Sequence, residues 1–185
     1  MTGTVTVTPD TFQFVTFDAA VIQRVADELV AALGIDRPVC VEVDETTPLA
    51  KVRLDIGDQI LVHADSGAFE DSRRPRQQSE VATAMAIGRA LLRARDRLHG
   101  GFGEAPVDAD LSLRQVAAWE TYCVGRLSRL GVTVNEQRWR YNFRNRHGFT
   151  DQADHAFDTI WHSDGLTWGE LETLSAAVTA AMPLA

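Results

Sequence analysis

Apart from one early helical stripe at 18–33, the hydrophobic period of this chain changes between its two halves, and that change decides what it can fold into. Up to residue 64 apolar side chains tend to alternate with polar ones, and from residue 79 they recur every three to four residues. A period of two buries one face of a strand; a period near 3.6 buries one stripe of a helix. Strands followed by helices predict an α+β protein and not an alternating parallel sheet. The 185 residues suit one domain over 1–185, strand-rich over 1–64 and helical over 79–185. We expect an antiparallel sheet of about three to five strands in the N-terminal half, packed against about five helices.

The strands are expected at 3–8, 11–16, 39–44, 51–55 and 59–63, the last three as an antiparallel meander. Helix ends are marked by their chemistry. Asp18 and Gly34 bracket one helix, Ser112 with Gln115 opens another, and Thr167 with Glu170 opens the last. A further helix runs from Ser79 to Leu98, and Gly100-Gly101 ends it. One more starts at Thr150 or Asp151 and reaches about His162. In the last helix Leu171, Leu174, Val178 and Met182 are expected to pack inward. Residues 65–78 read as an exposed loop, and 132–147 fit either a strand or a helix.

Net charge is −8, distributed unevenly. Residues 124–147 hold six arginines and one acid, Glu136, whereas 148–185 hold six acids and no Lys or Arg. An acidic whole disfavours non-specific nucleic-acid binding. No window approaches the roughly 18 apolar residues of a membrane span. The first seventeen residues lack the basic start of a secretory signal, so a cytoplasmic protein is expected. Cys40 and Cys123 are read as two thiols inside the fold.

Four groups of side chains could carry chemistry. His63, Asp65 and Ser66 end a strand, where a base, an orienting acid and a nucleophile could act together; a plain turn is the alternative. Arg138, Trp139, Arg140, Tyr141, Arg144 and Arg146 interleave guanidinium groups with aromatics. That composition suits a protein contact, or stacking and phosphate pairing with RNA. Asp151, His155, Asp158 and His162 share one helix face and are suitable ligand types for a divalent metal; a solvated polar face is the alternative. Arg95 and Glu120 flank apolar stripes, where they could form a buried pair or reach out to water.

The order helix, strand meander, long helix, further helix over about 17–131 resembles the small zincin metallopeptidases. In that family the long helix carries His-Glu-x-x-His and the next supplies a third ligand. Here the long helix begins Ser79-Glu80-Val81-Ala82-Thr83-Ala84-Met85 and has no histidine before His99, so only Glu120 could stand at a ligand position. The resemblance implies a scaffold that has lost its metal chemistry. The expected function is a non-catalytic interaction or regulatory protein with a protein partner and no cofactor. A metal-dependent or His/Asp-based hydrolase, and an RNA or phosphate-ligand binder through 138–147, are the alternatives.

Overall fold

The structure, a computed structural model, describes residues 2–99 and 101–180, with side chains through Val178. Met182 and Gly100 lie outside the described residues. The fold is α+β, and the chain gathers into two compact units, Met1–Arg95 and Asp96–Ala185.

The first unit is built on a four-stranded sheet of β1 (Val5–Thr8), β2 (Val39–Asp44), β3 (Val52–Ile56) and β4 (Ile60–Asp65). The strand order is β1-β2-β4-β3, with β1, β2 and β4 mutually parallel and only β3 antiparallel to its neighbour. The expected antiparallel sheet and meander are therefore corrected to a mixed sheet. Alternation fixes which face a residue takes, not which strand lies beside it. The burial explains the arrangement: Val39, Val41, Val43, Ile60, Val62 and Ala64 are all buried, so β2 and β4 take central places. The apolar residues of β3 are only half-buried, which suits an edge.

Helix α1 (Ala19–Leu33) connects β1 to β2 and packs on β1. Asp18 caps it by accepting from the Ala20 amide at 2.9 Å, and Gly34 closes it in the left-handed region at φ 64°. Residues 11–16 form no strand; Thr16 makes one isolated parallel bridge to Gln77. The expected loop at 65–78 instead holds a 3-10 turn and a short hairpin of β5 (Glu70–Asp71) and β6 (Arg74–Gln78).

Helix α2 (Glu80–His99) runs across the boundary between the units. The second unit is a cluster of α3 (Leu113–Arg129), α4 (Glu136–His147), α5 (Asp151–His162) and α6 (Trp168–Ala180). Both expected capping boxes form. Ser112 and Gln115 bond reciprocally, and the Glu170 carboxylate accepts from the Thr167 amide and hydroxyl, both at 2.8 Å. Helix α3 is buried on every side from Thr121 to Leu127 and contacts α4, α5 and α6. A helix covered all round acts as the core itself.

Gly125 sits where α3 crosses α5, and any Cβ there would collide with the Trp161 carbonyl. Gly169 in α6 has open space around it. Gly125→Ala is expected to destabilise the helical unit by about 3 kcal/mol or more. Gly169→Ala should change stability by less than about 1 kcal/mol. Thermal melts followed by circular dichroism check the contrast.

Candidate functional site

In the first unit one sheet face is polar. The β2–β4 and β3–β4 registers set Glu42, His63 and Arg53 in one row across the sheet. The half-buried His63 ring is held between two carboxylates, Nδ1 at 2.9 Å from Glu42 and Nε2 at 3.2 Å from Asp55. Both partners are acceptors only, so the two bonds coexist when both ring nitrogens carry hydrogen. Asp65 is buried on the same face, 3.8 Å from Arg53. The Ser66 hydroxyl donates to the Thr47 carbonyl at 3.1 Å. The expected relay of His63, Asp65 and Ser66 is thus not assembled: the imidazole is engaged by two acids from neighbouring strands, and the hydroxyl is spent on backbone. Glu120 lies half-buried in α3 with interactions of its own.

In the second unit the Arg-aromatic segment is helix α4, not a strand. Asn135 caps it by accepting from the Arg138 amide at 3.1 Å. The helix divides its arginines between two faces. Arg140 reaches Asp158 and Glu136, and Arg144 grips Asp154 through Nε at 2.7 Å and Nη2 at 2.6 Å. These bonds raise the pKa of both guanidinium groups, and Arg144 lowers that of Asp154. Arg140 also lies 4.3 Å over the Phe157 ring. Trp139 is half-buried and Phe143 buried. Arg138, Tyr141 and Arg146 stay exposed, and Tyr141 meets the exposed Phe149 edge-on at 5.7 Å.

The residues of the expected metal face on α5 take other partners or face water. Asp158 pairs with Arg140, and His162 turns its Nδ1 back to the Asp158 carbonyl at 2.8 Å; Asp151 and His155 remain exposed. Among the described residues no group of three or more His, Cys, Asp or Glu is placed to hold a metal. Side chains four apart on a single helix fan outward unless a second element closes over them, and here the second element brings arginine.

Two buried polar groups were not legible beforehand. The internal ion pair is Asp96 with Arg126, not Arg95 with Glu120, and Arg95 is exposed. Arg126 donates to both Asp96 oxygens at 2.7 Å, while the Trp119 indole donates to one of them at 2.8 Å. Burial is the largest single influence and would lower the Arg126 pKa; the Asp96 hydrogen bonds and the Coulombic attraction of Asp96 and its neighbours together outweigh it, and the net shift is upward. The second group is His147, 1% exposed, stacked on Phe143 at 3.8 Å. Its Nδ1 faces the Phe143 carbonyl at 3.2 Å and so donates, leaving Nε2 to accept from the Ser175 hydroxyl at 2.8 Å.

The chain matches no protein-family model, no curated protein and no solved structure. Among the described residues no helix is long and apolar enough to cross a membrane.

Burial, assisted by the Arg114 charge, lowers the His147 pKa to about 4 from 6.5. The native state therefore resists a proton that the unfolded chain accepts. Stability is expected to fall as pH drops below about 6.5, by about 3 kcal/mol in total at pH 4. His147→Phe should keep the stacking and flatten that stretch of the profile. Denaturant titrations between those pH values compare the two proteins.

Proposed function

We propose that the protein is a non-catalytic interaction protein that docks a protein partner on the outer face of α4. The observation that carries this reading is the composition of that face. Gln137, Arg138, Tyr141, Asn142, Asn145 and Arg146 are all exposed and cover about half the helix circumference without one acid. Tyr141 is 57% exposed and Phe149 63%. Aromatic and arginine side chains are the residue types that dominate protein–protein contact energies.

Arg138 and Arg146 have no ion-pair partner among the described residues, in contrast to Arg140 and Arg144. A partner with acidic groups around an aromatic-accepting pocket would complement them. Two free arginines give RNA little to hold, and residues 96–185 carry twelve acids against eight arginines, which repels a polyanion. The hydrolase alternative loses support because the Ser66 hydroxyl is committed to Thr47. Residues 17–131 are proposed to form a zincin-like scaffold without metal chemistry; element order and an α2 with no histidine before His99 support it. The protein is taken to act in the cytoplasm, in keeping with Cys40 and Cys123 not being joined in a disulfide.

The test uses the full chain as bait in native lysate at low salt. One stoichiometric partner is expected, with retention reduced by at least about tenfold in a Tyr141→Ala, Phe149→Ser double variant. The melting curve should stay unchanged, because both side chains are exposed. Recovery of no stoichiometric partner, or equal retention by the double variant, counts against the reading.

A further inference from the structure

We infer that the first unit carries a binding site for a small zwitterion of the free amino-acid class, at the carboxyl edge of its parallel strands. This inference does not depend on the α4 surface. Strands β1, β2 and β4 point the same way, so the segments that follow them, 9–18, 45–51 and 66–79, emerge at one edge of the sheet. Open sheets with parallel strands bind ligands at that edge, because the connecting loops converge there and the strands hold them fixed. A cleft of about 480 Å³ lies among these segments, with walls from all three. Its size falls in the range of small-molecule sites.

The walls are tied together without a ligand. The Glu45 carboxylate accepts from the successive amides of Gln13 at 2.7 Å and Phe14 at 2.6 Å, which fixes the first segment to the second. Ser66 donates to the Thr47 carbonyl through both amide and hydroxyl at 3.1 Å, which fixes the second to the third. A site shaped in advance loses little entropy when it is filled.

The charges facing the cleft are uncommitted. Glu70 and Arg76 both line it, yet among the described residues neither side chain has a hydrogen bond or an ion pair, with the other or with any third group. Arg76 also holds φ at 65°, which is uncommon for a residue with a side chain, and its carbonyl is fixed by the Thr16 amide at 2.8 Å. Phe14, 60% exposed, with Val15 and Pro48, supplies apolar surface beside them. A ligand that carries a carboxylate for Arg76, an ammonium for Glu70 and an apolar side chain for Phe14 satisfies all three features. A simple anion or a simple amine leaves one charge unanswered.

The experiment follows backbone amide resonances of the full chain while glycine, L-leucine, L-phenylalanine, L-lysine and L-glutamate are added separately, each up to about 10 mM. At least one is expected to give saturable shifts at residues 13–15 and 45–47. Its N-acetyl derivative, which lacks the ammonium, and its amide, which lacks the carboxylate, should each bind at least about tenfold more weakly. Glu70→Gln should abolish the preference over the N-acetyl derivative. Arg76→Asn, which tolerates the positive φ, should abolish the preference over the amide. Both variants are checked for an unchanged melting curve. No saturable shift with any of the five, or equal binding of the singly charged derivatives, overturns the inference.

Discussion

The Arg126 guanidinium and the Asp96 carboxylate meet with their side chains only 7% and 4% exposed, and the helical unit is arranged around that contact. Charges so deep survive only when every donor and acceptor is answered. Here Arg126 spends two donors on Asp96 and one on the Tyr122 carbonyl at 3.3 Å, and its plane lies 3.7 Å over the Tyr122 ring. Trp119 completes Asp96 from the other side. The pair links the end of α2 to the middle of α3, and so turns the face of α3 that bears Trp119 toward Phe102 and Trp168. Removing one member would strand the other charge at a cost of about 3–5 kcal/mol. The pair therefore dictates geometry more than it adds net stability.

Electrostatics also decides which part of α4 is left exposed. Arg140 and Arg144 are four residues apart, as are Asp154 and Asp158, and the pairing runs Arg140 to Asp158 and Arg144 to Asp154. Two matched rows of that kind hold α4 and α5 side by side in opposite directions. The arginines turned away from α5, Arg138 and Arg146, lie exposed on the side of the helix that bears Tyr141. One helix thus serves packing and display with the same residue type, separated by about half a turn.

Helix ends were readable because a cap is a local event: Asp18, Ser112, Thr150 and Thr167 each answer amides within three residues. The α+β class followed from the change of period. Strand neighbours were not readable, since Val39–Asp44 and Ile60–Asp65 alternate identically whether they run parallel or antiparallel. Segment 138–147 was ambiguous because Trp139, Tyr141 and Phe143 alternate while Phe143 and His147 are also one helical turn apart. The equal spacing of Arg140/Arg144 and Asp154/Asp158 was the signal that could have resolved it. Glu42 and Asp55 beside His63 left no such trace, because their approach depends on the strand order.

The two thiols give the molecule a built-in pair of clocks. Cys40 is half-buried in β2, and Cys123 is wholly enclosed in α3 beside Arg126. A sulfhydryl sealed in that way meets an alkylating reagent only during excursions that open the helical unit, while Cys40 reports on the sheet. The ratio of the two alkylation rates thus separates the breathing of one unit from that of the other, with no engineered probe.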